Sequence, residues 1–246
     1  MAARRLILIH GFTERPSMWD ELIAGLDIPD LLVSTPSIPG HGECPNIPAQ
    51  HTSKAYCDAL LKQLPQDDLP WIVVGHSMGG YLAAQLVQHV PERIRALGFF
   101  HSKAGADHAE KKEDRRRAIA IAQSDKNLYL VTMLRNTLAE RNVELMHDQL
   151  SLMIEAAKND ITYECIVASH EVMIERPDAI AFLQSVNFPI HYFLGMEDKS
   201  IPYQQLTHEL NSLPRATVQI VENAGHMGQI ECKDIATQWL RKMCLC

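Results

Sequence analysis

The stretch WIVVGHSMGGYLAAQL, from Trp71 to Leu86, changes its period halfway along. WIVVGH is a β-branched apolar run of strand length, whereas GGYLAAQLVQHV carries apolar residues at helical spacing until Pro91 stops it. One hydroxyl, Ser77, stands at the junction, with Gly75 before it and Gly79 and Gly80 after it. Gly75-His76-Ser77-Met78-Gly79 is therefore G-x-S-x-G between a strand and a helix. Such a turn strains the serine backbone and lifts its hydroxyl above a sheet edge. The hydroxyl also lies by a helix N-terminus, whose free N–H groups favour developing negative charge. An inert tight turn is the plain alternative, and the strand-to-helix context favours Ser77 as a nucleophile.

Outward from this junction the same alternation recurs. RLILIHG reads as a buried strand, SMWDELIAGL as a helix with Trp19, Leu22, Ile23 and Leu26 inward, and DLLVSTP as a strand entering a Pro/Gly loop. TSKAYCDALLKQL is helical with Thr52 or Ser53 as cap, and IRALGFFHS is a further strand. Near the C-terminus FPIHYFLGMED and ATVQIVENAGH read as strands, YQQLTHELNSL and DIATQWLRKM as helices. Strands alternating with helices predict an α/β fold: a mostly parallel six-stranded sheet flanked by helices. The segment between Lys103 and Val186 breaks the rhythm. It reads as helices over about 108–123, 127–139, 142–158, 162–175 and 178–185, with Asp107 and Glu110 as a capping box. We expect one domain over 1–246, with a core of 1–103 and 187–246 and an all-helical lid over 104–186.

The bulk chemistry narrows the function. With 46% hydrophobic and 22% charged residues the composition is that of an ordinary globular protein. A net charge of −7 argues against nucleic acid, and no apolar run is long enough to span a membrane. The N-terminal apolar run is too short for a signal peptide, so the expected compartment is the cytoplasm. Six cysteines without a CxxC pair read as mostly free thiols, and neither a metal site nor a cofactor is expected. The oligomeric state is not legible.

A serine nucleophile needs a base, and the base needs a carboxylate to orient it. Of twelve histidines, His226 follows the last strand in the small-residue loop VENAGHMGQ. His147, His170 and His208 fall within helices and His191 within a strand, positions of packing or surface. His10, His76 and His101 lie at strand ends; His76 and His101, with Ser102, are candidates to line the substrate pocket. LGMEDKSIP offers Glu197 and Asp198, and the spacing G-x-x-D-x-x-x-P favours Asp198.

The order Ser77, Asp198, His226, together with HGF at His10–Phe12, PGHG at Pro39–Gly42, GHSMGG, GMEDKSIP and AGHM, resembles the α/β-hydrolase superfamily along essentially the whole chain. The resemblance implies an oxyanion hole from the backbone N–H groups of Phe12 and Met78, and a compact version that starts at the strand carrying the His-Gly. STPSIPGHG departs from many relatives, which carry an aspartate before the Pro-Gly. The implied activity is a serine esterase acting on a small or medium carboxylic ester. A C–C bond hydrolase or hydroxynitrile lyase with the same triad, or a ligand receptor on this fold, are the alternatives.

Three further features have plain readings. AEKKEDRRRAI reads as a solvated helix face with pairs such as Glu113 and Arg117, the alternative being that Arg115, Arg116 or Arg117 binds an acidic substrate. Met133, Met146, Met153 and Met173 are expected to pack the lid rather than line the pocket. Cys44 reads as a loop thiol.

Overall fold

The computed structural model describes residues 4–245; the thiol of Cys246 lies outside them. Six strands, β1 (Arg4–Ile9), β2 (Leu31–Ser34), β3 (Trp71–His76), β4 (Ile94–Phe100), β5 (Ile190–Gly195) and β6 (Ala216–Val221), form one parallel sheet. Their order is β2-β1-β3-β4-β5-β6. Ile9 registers with Gly75, Gly75 with Phe99, Phe100 with Phe193 and Gly195 with Val221, so five loops leave one carboxyl edge together. Period-2 alternation divides each inner strand between two cores. Ile7, Ile9, Trp71 and Val73 pack on one face; Leu6, Leu8, Ile72 and Val74 pack on the other. Burial on both faces explains why these strands read as unbroken apolar runs.

The helices are α1 (Asp20–Ala24), α2 (Ser53–Leu61), α3 (Met78–His89), α4 (Ala109–Ser124), α5 (Lys126–Arg135), α6 (Glu140–Leu145), α7 (His147–Asp160), α8 (Tyr163–Glu175), α9 (Ile180–Ser185), α10 (Thr207–Ser212), α11 (Gly228–Glu231) and α12 (Lys233–Leu245). Thr52, not Ser53, caps α2 by accepting the Ala55 N–H. Two predicted helices begin as 3₁₀ turns, at Pro16–Trp19 and Tyr203–Leu206. The predicted helix over 142–158 is broken at Met146, whose φ and ψ are −114° and 29°. Helix α11 was not foreseen. No helix among the described residues is long and apolar enough to cross a membrane.

Helices α4 to α9 form the insertion between β4 and β5, and most of it packs around its own apolar cluster, which includes Leu130, Leu134, Leu150 and Ile166. That cluster reaches the sheet's loops through Phe12 and Met227. The capping box is corrected here. His108 caps α4, its Nδ1 accepting the Lys111 N–H at 3.3 Å. Asp107 is buried instead and accepts from Arg176 at 2.7 Å and Arg115 at 2.6 Å, with Lys103 Nζ at 3.3 Å. Three cations offer a carboxylate more than one orphan N–H can. Arg176 also lies 3.7 Å over the Tyr81 ring, fastening the insertion to α3. On the outer face of α4, Arg116 pairs with Glu113 and Arg117 with Asp114, in place of the expected Glu113–Arg117 pair. Arg115 turns inward.

Burial opposes the charge on Asp107, but hydrogen bonds and charge from Arg176 and Arg115 outweigh it and hold the carboxyl well below its usual range. A depressed carboxylate stabilises the fold above its unfolded pKa, about 3.9, and that contribution fades as pH falls through it. Asp107→Asn leaves two arginines facing no carboxylate, so urea unfolding at pH 7 should show a loss of about 3–5 kcal/mol. A change below about 0.5 kcal/mol would mean that the ion cluster does not anchor the insertion.

Candidate active site

The loop between β3 and α3 is held by backbone packing. Ser77 has φ 50° and ψ −118°, a conformation that side-chain-bearing residues rarely adopt. A Cβ on Gly75 would lie 2.2 Å from the Gly79 carbonyl oxygen, and one on Gly79 would lie 2.2 Å from the His10 carbonyl oxygen. Both positions must be glycine. The Ser77 N–H donates to the Phe100 carbonyl at 3.1 Å, and its own carbonyl accepts the Ser102 hydroxyl at 2.6 Å. The strained turn is thus tied to β4.

Above this turn three side chains distant in sequence meet. His226 Nε2 lies 2.8 Å from Ser77 Oγ, and His226 Nδ1 lies 2.7 Å from Asp198 Oδ2. Asp198 Oδ1 accepts the N–H groups of Ser200 at 2.8 Å and Ile201 at 2.9 Å. Its Oδ2 faces His101 Nδ1 as well, at 3.3 Å. Burial disfavours the ionised acid, yet the charge of His226 and hydrogen bonds from His101 and His226 prevail and hold Asp198 well below the usual carboxylate range. Glu197, the other candidate, points away and pairs with Arg141 at 2.7 Å.

The three proposed pocket residues separate. His76 lines the cavity above Ser77, whereas His101 and Ser102 are fully buried behind the turn and do not. His101 is pushed down to about 4 by burial, so it is neutral and its Nδ1–H donates to Asp198. Among the described residues, the N–H groups of Phe12 and Met78 have no hydrogen-bond acceptor, whereas the adjacent Gly11 N–H is taken by Glu14 Oε2 at 2.5 Å. His101, Asp198 and His226 also bring ligand atoms within 4.8 Å of one another, the spacing of a cation site. The two hydrogen bonds to Asp198 Oδ2 account for that spacing, and each proton would have to leave before a cation could enter.

Two acids escaped the sequence reading. Glu14 Oε2 also accepts His76 Nδ1–H at 2.8 Å, while His76 Nε2–H donates to the His226 carbonyl at 2.8 Å. Both ring nitrogens of His76 face acceptors, so the imidazolium satisfies them. Burial pulls His76 down, but the charge of Glu14 and its hydrogen bond outweigh it and raise the ring; Glu14, which burial would raise, is lowered by the same partner. Glu231, on α11, accepts from Ala139 N–H and Asn142 through one oxygen and from Gly225 and Met227 N–H through the other. It ties the His226 loop to the insertion, as does the His226 N–H on the Thr137 carbonyl at 2.6 Å. Glu14 carries a faint signal, an acid three residues after the His-Gly; Glu231 carries none without α11.

The cavity over Ser77 holds about 140 Å³ and is roofed by the insertion through Lys111, Arg115, Tyr129, Met133, His170 and Met173, among others. Met133 and Met173 therefore line it, contrary to the expectation that the insertion's methionines only pack. His170, read as packing or surface, is buried and lines this cavity, its Nε2 2.7 Å from the Tyr129 hydroxyl.

A parallel sheet with a strained serine turn and an imidazole–carboxylate pair above its carboxyl edge defines the α/β-hydrolase class. The sequence profile described as the alpha/beta hydrolase family matches residues 6–237, and the chain belongs to that family. Among curated relatives, a pimeloyl-[acyl-carrier protein] methyl ester esterase of Neisseria meningitidis is 25% identical over 236 residues, covering 92% of this chain and 87% of that protein. One of the same name from Aromatoleum aromaticum is 38% identical over 92 residues, 37% of this chain, and the match spans only 34% of that relative. A thermophilic esterase from Thermogutta terrifontis superposes with a TM-score of 0.86 at 24% identity, over 98% of this chain and 91% of that one. The chain is an α/β hydrolase whose curated relatives include named esterases.

The Glu14–His76 pair gives a pH signature. A lowered acid contributes stability above its unfolded pKa near 4.3, and a raised histidine contributes below its own near 6.5 and loses it as pH rises through the folded value. The contribution is therefore fullest between about pH 4.3 and 6.5. Thermal unfolding of wild type and Glu14→Gln across pH should show the gap widest in that window, up to about 3 kcal/mol, and narrower on both sides. A pH-independent gap would separate the pair from the ionisation assigned to it.

Proposed function

We propose that the protein is a serine hydrolase that cleaves a small or medium carboxylic ester through an acyl-enzyme. The observation that carries this reading is the 2.8 Å approach of His226 Nε2 to Ser77 Oγ, with Asp198 2.7 Å behind the same ring. His226 removes the Ser77 proton as Oγ attacks the ester carbonyl, and the charge on the resulting imidazolium is met by Asp198. The unpaired N–H groups of Phe12 and Met78 receive the oxyanion. His226 then protonates the departing alkoxide, and in the second half activates a water that releases the acid and restores Ser77. A cavity of about 140 Å³ suits an acyl group of modest size, with room for on the order of ten water-sized groups. The insertion serves as a lid that keeps the acyl group from bulk water. The free thiols Cys44, Cys57, Cys165, Cys232 and Cys244 fit a cytoplasmic setting.

A fluorophosphonate probe and methyl or p-nitrophenyl esters test this directly. Wild type should label and turn over; Ser77→Ala should do neither. His226→Ala should lower kcat by roughly 10⁴–10⁶-fold and Asp198→Asn by about 10⁴-fold. Labelling that persists in Ser77→Ala would sink the mechanism.

A further inference from the structure

The cavity above Ser77 does not end at its apolar wall. A second chamber of about 90 Å³ abuts it, sharing Tyr81, Lys111, Ser200 and Ile201 as common walls and adding Lys103 and Asp107. Charge is uneven around this pair of chambers. Lys103, Arg115 and Arg176 gather on Asp107, and Lys111 adds a fourth cation one helical turn before Arg115. The carboxylates facing them are Asp107 and the buried Glu209, which already accepts the Ala104 and Gly105 N–H groups and the Tyr192 hydroxyl. Glu14, on the inner wall, is taken up by His76. Cations are therefore in excess in a protein whose net charge is −7.

Two donors remain uncommitted. Among the described residues Lys111 Nζ forms no ion pair, although its side chain is only half exposed and borders both chambers. Arg115 gives its Nε to Asp107 but spends Nη1 on the Met173 thioether at 2.9 Å, a weak acceptor. Lys111 and Arg115 stand one helical turn apart on the wall of one cavity, and an anion between them would answer both charges.

Resting on the serine-esterase reading above, we infer that the substrate carries a carboxylate at the end remote from the scissile ester, seated between Lys111 and Arg115. The substrate class is then the hemiester of a short dicarboxylic acid, whose ester end lies at Ser77 and whose acid end lies on the wall of the same cavity that Lys111 and Arg115 form. The cavity of about 140 Å³ that both cations line admits a short acyl chain with its carboxylate but no nucleotide.

Monomethyl hemiesters of the dicarboxylic acids from succinate to suberate, each paired with the uncharged methyl ester of equal chain length, test it. Wild type should prefer at least one hemiester by about tenfold in kcat/KM, the scale of one charge-assisted contact. That ratio should fall towards one in Lys111→Met, persist in Lys111→Arg, and shrink in wild type as salt rises. A hemiester no better than its neutral partner, or a preference untouched by Lys111→Met, overturns the inference while the esterase reading stands. Hydrolysis of neither series, with no fluorophosphonate labelling of Ser77, overturns both.

Discussion

The contact between the backbones of Gly75, Gly79 and His10 governs the rest of the site. A strand, a helix and the first loop meet there with no room for a single Cβ, since any added carbon would sit about 2.2 Å from a carbonyl oxygen. That approach sets the sharp turn, and the turn sets the unusual backbone of Ser77. It also draws Gly11 against Ser77, where an added Cβ would lie 3.2 Å from the serine Cβ. The strain is borne by the surroundings: β1 and β3 are buried on both faces, and the Ser102 hydroxyl locks the Ser77 carbonyl from below.

Much of this was legible because it is local or periodic. The β3–turn–α3 junction is written in consecutive residues, and the sheet follows from apolar runs of the right length. Asp198 and His226 stand out in the sequence because each follows a strand, and the structure brings both beside Ser77. What escaped depends on contacts between segments far apart. Asp107 reads as a cap from its neighbours alone, but Arg176, 69 residues on, outbids the helix end for it. Arg115 reads as part of a solvated run, yet the burial of Asp107 turns it inward. His101 and Ser102 stand at a strand end, as pocket residues do, but the tight turn places them beneath the serine and not beside it. Helix α11 is only four residues long, too short for a period to register.

The insertion is more than a cover in this geometry. Glu231 joins the N–H groups of Gly225 and Met227, on either side of His226, to Ala139 and Asn142 of the insertion, and the His226 N–H itself donates to Thr137. The histidine loop is therefore held from the sheet side by Asp198 and from the insertion side by a carboxylate hub. A displacement of α5 or α6 would be felt at the imidazole through three backbone N–H groups, which couples the roof of the cavity to the His226–Ser77 contact.

The histidines packed against the triad differ in charge for reasons their partners supply. His101 has one acceptor, Asp198, and an Nε2 without a partner, so burial wins and the ring stays neutral. His76 faces acceptors with both nitrogens, one of them the carboxylate of Glu14, so the charged ring wins despite equal burial. Asp198 thus receives a hydrogen bond from a neutral donor, while Glu14 faces the ring of His76 and favours its charged form. The charge of Asp198 acts on His76 and His101 as well, but its shortest contact, 2.7 Å against 3.3 Å to His101, is with His226, the ring above Ser77.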